Sequence, residues 1–408
     1  MSIADEPQPA EEAPYFTGVQ PAGLSAGMPR ARFNEPEGTI APHGFLTPQD
    51  RFGNVERGNP LPFTLPSERR REVGLERETW QLEIVADPES DTKIEQPLSK
   101  ALGTAIDFET LLKLGETHGV RYLKGMTCTN LGEPLGMGLW EGVPLRVLIW
   151  MTRPVENLRR VYYYGYHNDD PIQQFRSSLS IGRVLEEPPG ELPVILCYKI
   201  NGEYVSGQRG GPVRMVVPEA NGFKSVKWLQ RVVLTNDWRA NDTYALGNND
   251  IESPMKTFAR FAQVPPTALA GQPIRISGIA QVGASGLAGV QYAIHPQDAP
   301  LPEDDPTLSG LDWQDADILP PPEQWGGGLP SGGLPPTPIQ IDPATGAPRR
   351  WPLRYTVAHW VAVLWDVPPG RYDVRCRSID ENGIAQPMPR PFAKGGKAAI
   401  QDKPLVVE

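Results

Sequence analysis

The amino-acid sequence predicts an α+β domain followed by a β-sandwich. In the first half of the chain, strand-like segments such as Trp80–Val85 and Val194–Tyr198 flank the helix-like segment Phe108–Leu114. After Pro254 the pattern changes to short alternating segments separated by Gly and Pro turns, of which Tyr372–Ser378 is an example. Mixed helices and strands followed by strands alone indicate two structural units in this order.

Local composition divides the chain further. Residues 1–44 are rich in Pro, Glu, Ala and Gly and contain few large apolar residues, which predicts an extended Pro-rich arm. Residues 45–252 carry the mixed pattern, and residues 253–408 carry the strands of the sandwich. Within the sandwich, residues from about 301 to 352 contain Pro and Gly clusters that are too turn-rich for regular elements, so we predict a long surface insertion there.

Charge and composition exclude several classes of protein. The 408 residues carry a formal net charge of -10, whereas a nucleic-acid binding face needs an excess of Lys and Arg. No apolar run approaches the roughly 20 residues that a membrane span needs. The first residues show no targeting signal, so a cytoplasmic and an exported protein both stay open. The cysteines, Cys128, Cys197 and Cys376, are widely spaced, which predicts neither a disulfide framework nor a zinc site.

Two neighbouring segments, Arg209–Pro218 and Lys224–Leu229, concentrate four cations around short apolar strands. The cations alternate with valines and Trp228, so the strand period turns some of them inward, where an unpaired charge is costly. Arg214 offers a planar fork and Lys227 a point charge, and both suit a phosphate. The segments predict a cradle for a phosphorylated cofactor, and a solvated cluster at strand ends is the alternative.

Cys128 is the first candidate for the chemistry. It lies in the segment Gly125–Glu133, among small polar residues. A thiolate suits soft metals, so this cysteine is a candidate metal ligand. Taken alone, plain packing is the commoner role of a cysteine, and the surrounding motifs are needed to favour the ligand.

Those motifs resemble the sulfite oxidase family of molybdenum enzymes. The resemblance is carried, in chain order, by the Cys128 segment, Leu139–Arg146, Tyr198–Glu203, Gly211–Arg214 and Ser225–Leu229, and in the second half by Ala270–Ile276, Leu287–Ile294 and Trp365–Val374. It implies a sulfite-oxidase-type molybdopterin domain followed by an immunoglobulin-like dimerisation domain. It also implies a molybdenum-molybdopterin cofactor, with Cys128 as the protein ligand of the metal.

The resemblance assigns further residues to the cofactor. They are Phe52, Asn54, His167, Arg209, Arg214, Ser225, Val226 and Lys227. Arg209 stands where the family has a histidine, and a guanidinium can donate to the cofactor but does not titrate near neutrality. Phe52 and Asn54 belong to a loose match with a segment that lies along the pterin, for which a solvated loop is the alternative. His167 ends a tyrosine-rich strand, and an ordinary surface histidine is the alternative reading there.

The substrate side departs from the family. Sulfite oxidases follow the metal-binding cysteine with a segment that contains an arginine, whereas this chain continues to Glu133. A carboxylate in place of a guanidinium weakens the binding of a dianion, which puts sulfite in doubt. No arginine near Trp360 matches the one that the family's sandwich lends to the substrate pocket. By resemblance, Tyr244 donates to a substrate oxygen and Arg239 holds an anion; the alternative role of Tyr244 is to anchor a loop between the domains.

The sequence therefore predicts a molybdenum-pterin oxidoreductase that transfers an oxygen atom to or from a small oxyanion or sulfur compound. The resemblance implies an external electron carrier such as a c-type cytochrome, a homodimer, and a periplasmic location. One alternative is a reductase of the same family that acts on an S-oxide or N-oxide. Another is a non-catalytic scaffold that binds partners through its β-sandwich.

Overall fold

The structure, a computed structural model, describes residues 44–56, 58–129, 133–167, 175–243, 250–305, 307–329, 333–335, 338–388 and 398–408. The predicted Pro-rich arm lies outside the described residues apart from Gly44, and so does Tyr244. Among the described residues, no helix has the length and apolar character needed to cross a membrane.

The described part of the chain is mostly β, with few helices. Its α-helices are α1 (Ser67–Glu72), α2 (Phe108–His118), α3 (Leu145–Met151) and α4 (Ile181–Leu185). Helix α2 begins after Asp107, whose carboxylate accepts a hydrogen bond of 2.8 Å from the backbone N–H of Thr110. Hydrogen bonds from Thr110 lower the pKa of Asp107. The helix buries Phe108 and Leu111, so the predicted helix at this place is confirmed.

The first half is built on two five-stranded sheets, one mixed and one antiparallel, with β2 and β6 as a separate pair. Its strands are β1 (Gln81–Ala86), β2 (Lys93–Ile94), β3 (Ile106–Asp107), β4 (Val120–Met126), β5 (Gly136–Pro144), β6 (Pro154–Glu156), β7 (Arg160–Gly165), β8 (Arg176–Ser180), β9 (Ile195–Ile200), β10 (Glu203–Tyr204), β11 (Arg214–Val216) and β12 (Leu229–Thr235). The first sheet has the order β3-β1-β12-β7-β8, and the second has the order β10-β9-β5-β4, with β11 paired to β9. Strands β1 and β12 are parallel, which brings the two ends of this half together.

The core of the first half lies between these two sheets. Leu82 and Tyr163 enter it from the first sheet, and Leu196 and Met215 enter it from the second. All four side chains are fully buried. Burial of this kind stabilises a side chain by about 1.5–3 kcal/mol, and it gives the loops that follow β4 and β11 a rigid base.

The first described segment runs across the second sheet. The backbone N–H of Thr47 donates to the Met137 carbonyl at 2.8 Å, and the Thr47 carbonyl accepts from Asn201 Nδ2 at 2.8 Å. Farther along, the backbone N–H of Gly53 donates to the Leu135 carbonyl at 2.7 Å. These bonds hold residues 52–55 beside the end of β4.

The second half is a β-sandwich. Its strands are β13 (Phe258–Gln263), β14 (Thr267–Ala268), β15 (Ile274–Gln281), β16 (Gly289–Pro296), β17 (Gln314–Ile318), β18 (Val357–Leu364), β19 (Gly370–Ile379) and β20 (Gln401–Val407). They follow the order β13-β15-β18-β17-β16-β19-β20-β14. Phe261 and Trp360, near one end of this order, share a core with Cys376 and Leu405, near the other, so the two parts pack face to face.

Part of the segment at about 301–352, for which we predict a surface insertion without regular elements, forms a strand and reaches the interior. It contains β17, which joins β16 to β18, and it buries Trp325 and Ile341 in a cluster with Leu139 of β5. The side chain of Gln340 accepts from the Leu123 N–H at 2.7 Å and donates to the Leu123 carbonyl at 2.8 Å. It thus satisfies the backbone at the edge of β4 as a neighbouring strand would.

Candidate cofactor site

Six of the predicted residues line one cavity, which we call the Cys128 cavity. They are Phe52, Cys128, Arg209, Arg214, Ser225 and Lys227. The other lining residues are Gly53, Val55, Met126, Thr127, Leu135, Trp140, Phe175, Gly222 and Phe223. Residues far apart in sequence thus meet at the place where β4 ends and β11 and β12 are joined.

Cys128 reaches the cavity because β4 ends two residues before it. The preceding carbonyl, that of Thr127, accepts a hydrogen bond of 2.7 Å from the backbone N–H of Gly222. A Cβ at Gly222 would lie 2.8 Å from that carbonyl oxygen, so only glycine permits this approach. The cysteine is partly exposed and unpaired. The Cys128 loop and the turn at residues 222–227 are therefore held together.

The other two cysteines are packed in cores. Cys197 and Cys376 are fully buried. Burial raises the pKa of the Cys197 thiol to about 12, and it raises the pKa of Cys376 as well. Because a soft metal needs a thiolate, neither of these cysteines suits a metal, and Cys128 is the one that lines the cavity.

Two buried guanidiniums form the cationic wall of the cavity. Arg209 donates from Nη1 to the carbonyls of Phe52 and Gly53, both at 3.0 Å. Arg214 donates from Nη1 to the Arg209 carbonyl at 2.6 Å and from Nη2 to the Ser225 carbonyl at 2.8 Å. Within the described part of the chain, neither forms an ion pair with a carboxylate, and the Nε atom of each has no partner.

The charges of these arginines persist despite burial. Burial lowers the pKa of Arg214 to about 10, and it lowers the pKa of Arg209 as well. Arg214 therefore stays protonated near neutrality. Two buried positive charges without a carboxylate are costly unless an anion compensates them. The donors and the unpartnered Nε atoms fit the phosphate end of a pterin cofactor.

Lys227 completes this wall. Its Nζ donates to Asn54 Oδ1 at 2.9 Å and to the Gln208 carbonyl at 3.3 Å, so Asn54 belongs to the site through Lys227. A Cβ at Gly210, where φ is 98°, would lie 2.6 Å from Lys227 Cβ. The glycine therefore lets the two segments approach.

The remaining members of the predicted cradle face elsewhere. Ser225 lines the cavity, but its Oγ accepts from the backbone N–H of Val217 at 3.1 Å. Val226 is fully buried in the core, and its side chain does not line the cavity. Lys224, the fourth cation of the two segments, pairs with Asp242 at 2.8 Å. The cradle is therefore formed by three cations rather than four.

The structure does not bring His167 or Arg239 to the Cys128 cavity. His167 lines a separate pocket with Tyr164 and Arg176. Arg239 is exposed and pairs with Asp237 at 3.0 Å, which is a local contact within its own loop. Tyr244 lies outside the described residues. The predicted roles of these three residues remain predictions.

Aromatic residues line the cavity as well, and of these Phe52 is the one that the sequence analysis predicts. The ring of Trp140 lies 6.0 Å from that of Phe52, with an interplanar angle of 77°. The guanidinium carbon of Arg214 lies 5.4 Å from the Trp140 ring. Trp140 belongs to the Leu139–Arg146 motif, so that motif was the available signal. These rings exclude water from the cationic wall.

An arginine of the sandwich approaches the Cys128 loop. Arg260 in β13 pairs through Nη1 with Glu133 Oε2 at 3.1 Å. Sequence alone does not indicate this role of Arg260, because the contact with Glu133 depends on how the two halves pack together. The carboxylate of Glu133 partly neutralises this arginine.

A fully buried lysine lies behind the site. Lys124 of β4 donates from Nζ to the carbonyls of Gly125 at 2.8 Å and Ala220 at 3.3 Å. Burial lowers the pKa of Lys124 to about 7, the Glu219 carboxylate opposes this shift, and the Arg214 charge adds to it. Lys124 therefore gains or loses its charge near neutrality, next to the buried Arg214.

We expect Lys124→Met to stabilise the apoprotein near pH 7 and to do so less at higher pH. Between about pH 7 and the ordinary lysine pKa of about 10.4, the unfolded state binds a proton that the folded state does not. Wild-type stability then rises with pH by up to about 1.4 kcal/mol per unit, and the variant lacks this rise. Apparent melting temperatures from pH 6 to 10 measure the difference. A constant difference across this range, or the same trend in the exposed control Lys100→Met, would contradict this account of Lys124.

Comparison with known proteins finds molybdopterin-binding relatives of the first half. Residues 75–243 match the family model of the oxidoreductase molybdopterin binding domain. The sulfite oxidase of Gallus gallus is 28% identical over 253 residues, which cover 59% of this chain and 52% of that protein. The nitrate reductase [NADH] of Lotus japonicus is 32% identical over 230 residues, covering 54% of this chain and 23% of that protein. The chain thus spans about half or less of the length of these curated relatives.

A solved structure shares the whole fold. The sulfane dehydrogenase SoxCD from Paracoccus pantotrophus superposes with a TM-score of 0.54 at 17% sequence identity, covering 96% of each chain. This likeness extends over both halves of the described molecule. The likeness to this structure concerns the fold. The family match over residues 75–243 and the sulfite oxidase relatives identify this part of the chain as a molybdopterin-binding oxidoreductase domain of the sulfite oxidase type, whose cofactor is molybdenum-molybdopterin.

Proposed function

We propose that this protein transfers an oxygen atom to or from a small substrate in a two-electron reaction at the Cys128 cavity. The observation that carries the proposal is the meeting of a partly exposed cysteine with two buried arginines in one cavity, neither of which forms an ion pair with a carboxylate of the described residues. When bound, the cofactor supplies a metal that changes its oxidation state by two electrons. The protein supplies position, electrostatics and a water-poor environment.

The roles of the residues follow from their contacts. Cys128 is the proposed thiolate ligand of the metal. Arg209, Arg214 and Lys227 are the proposed donors to the cofactor phosphate, and the buried Nε atoms of both arginines have no partner among the described residues. Phe52, which is 6% exposed, covers the cavity from the side of the first described segment.

The charge near Cys128 favours a substrate with little negative charge. The nearby arginine of the sandwich, Arg260, is paired with Glu133, so its charge is partly compensated. We infer that the Glu133 carboxylate, which follows Cys128 by five residues, disfavours a dianion such as sulfite and does not repel an S-oxide or N-oxide. A sulfur compound as the electron donor is our first proposal, and a reductase of a neutral oxide is the second because of this ion pair.

Purified protein from a host that makes the cofactor tests the proposal. Elemental mass spectrometry gives molybdenum per chain, and fluorescence after oxidation gives pterin per chain. Sulfur compounds with ferricyanide as acceptor, and S-oxides or N-oxides with a reduced viologen as donor, then give the direction of transfer. Near-stoichiometric molybdenum and pterin with turnover in one direction supports the proposal. A cofactor-free protein without turnover would instead favour a scaffold.

We further propose an assembly and an electron partner. Residues 45–252 form the α+β molybdopterin domain, and residues 253–408 form an immunoglobulin-like dimerisation domain. Leu269 and Trp365 of the sandwich are 64% and 61% exposed, and we propose that this domain carries the contact of a homodimer. A solution mass equal to the single chain, 44.9 kDa, would contradict it. The electrons pass to an external carrier such as a c-type cytochrome, and failure of the active enzyme to reduce such cytochromes would contradict that partner.

A further inference from the structure

Behind the wall of the Cys128 cavity lies a fully buried ion pair. Lys224 Nζ is 2.8 Å from Asp242 Oδ1, and the two side chains are 0% and 2% exposed. The lysine also donates to the Ser178 carbonyl at 2.8 Å. Asp242 accepts from the hydroxyl of Ser178 at 2.9 Å and from the hydroxyl of Ser177. The charges and the polar atoms around them are therefore mutually satisfied.

This pair connects three separate segments of the chain. Lys224 belongs to the turn at residues 222–227, which lines the cavity with Gly222, Phe223, Ser225 and Lys227. The serines belong to β8, which starts one residue after Phe175, another lining residue. Asp242 belongs to the segment that follows β12.

The segment that carries Asp242 is fixed to the same end of β8. The backbone N–H of Thr243 donates to the Arg176 carbonyl at 3.2 Å, and its hydroxyl accepts from the Arg176 N–H at 3.1 Å. The Tyr163 hydroxyl donates to the Lys224 carbonyl at 2.9 Å. Side-chain and backbone bonds thus join residues 242–243, the start of β8 and the 222–227 turn.

Stability alone does not account for an ion pair at this position. Taking two charges out of water costs several kcal/mol per ion, and apolar replacements of similar volume are often neutral or stabilising. The pair fixes the relative position of the segments that carry it, because each charged group has its hydrogen-bond partners in only one arrangement. A shift of the 222–227 turn or of residues 242–243 would leave a buried charge unpaired.

We propose that Lys224 and Asp242 are positioning residues that fix the phosphate-binding wall of the Cys128 cavity relative to the segment after β12. They act through Ser225, Lys227 and Phe175 rather than by touching the cofactor. This inference rests on the proposed function, because it assigns the wall to the cofactor. It links cofactor retention to residues 242–243, which follow β12 and contact β8.

The test uses a double variant, Lys224→Met with Asp242→Leu, which removes both charges and leaves neither one unpaired. Three quantities are measured: molybdenum and pterin per chain after gel filtration, the Mo(V) electron paramagnetic resonance spectrum, and amide hydrogen exchange of residues 175–180 and 222–227 in the apoprotein. The matched control is Arg183→Met with Glu219→Leu. That pair, 2.7 Å apart, is in the same half, and neither residue lines the cavity.

We expect the double variant to melt within a few degrees of wild type and to retain the cofactor about 10-fold less well, as loss of an outer partner of a metal site typically does. We also expect an altered Mo(V) spectrum and faster exchange in both segments. The control should keep wild-type values of all three. Wild-type retention, spectrum and exchange in the double variant would overturn the proposal.

Two further comparisons keep the result unambiguous. If the double variant does not fold, Asp242→Asn is scored by the same three measurements, because it keeps the size and shape of the side chain, removes its charge and leaves one oxygen to accept from a serine hydroxyl. Wild-type protein without molybdenum and pterin would contradict the proposed function, whereas fully loaded wild type with an equally loaded variant would contradict only the positioning role. The hydrogen exchange experiment on the apoprotein measures the effect of the Lys224–Asp242 ion pair in either case.

Discussion

Replacement of Cys128 by alanine is expected to abolish turnover and to leave the fold intact. The cysteine is partly exposed at the end of β4 and supports no core, so its loss removes little packing. Loss of an outer partner of a metal site costs roughly 10–100-fold in activity or metal affinity, and loss of a direct ligand should cost more. Turnover per chain and molybdenum per chain are the two measurements.

The controls for this experiment are the other two cysteines. Cys197 and Cys376 are fully buried, and their replacement by alanine should lower the melting temperature while leaving turnover per bound molybdenum unchanged. Cys128→Ala should show the opposite pattern. If Cys128→Ala keeps both its molybdenum and its turnover, the metal has another ligand and the proposed site is wrong.

Among the predicted motifs, those in which a polar residue alternates with apolar ones contribute residues to the Cys128 cavity. On a strand, the side chain of Arg214 points to the face opposite those of Val213 and Met215. The structure buries all three side chains. The same reasoning applies to Cys128, which follows a strand and a small polar residue. The local pattern was sufficient to select Arg214 and Cys128 because the cavity lies at the ends of their strands.

Residues whose place depends on distant packing were not predictable in this way. The local period gave no means to tell Lys224 from Lys227, although the first pairs with Asp242 and the second lines the cavity. Arg239 matched a family segment only loosely, and in the structure it pairs with Asp237, two residues away. The Pro-rich segment at about 301–352 lacks any strand period, yet Trp325 is buried because β4 and β5 offer it an apolar surface.

Replacement of Arg214 by methionine is expected to lower cofactor retention by about 10- to 100-fold, the loss of one charge-assisted hydrogen bond of about 1.5–3 kcal/mol. Methionine fills most of the space but carries no charge. Arg214→Lys keeps the charge without the planar fork, and its retention should lie between those of methionine and wild type. Molybdenum and pterin per chain after gel filtration measure this order.

The apoprotein provides a second readout, which does not depend on turnover. An anion that binds only the folded state raises the melting temperature by mass action, so inorganic phosphate should stabilise wild-type apoprotein and stabilise Arg214→Met less. Arg231→Met, which removes an exposed arginine from the same half, should respond as wild type does. Equal stabilisation by phosphate in all three proteins would mean that Arg214 has a structural role and does not bind the anion. In that case the charges of Arg209 and Arg214 would stay uncompensated in the interior, which is the arrangement that the energetics of buried ions disfavour most.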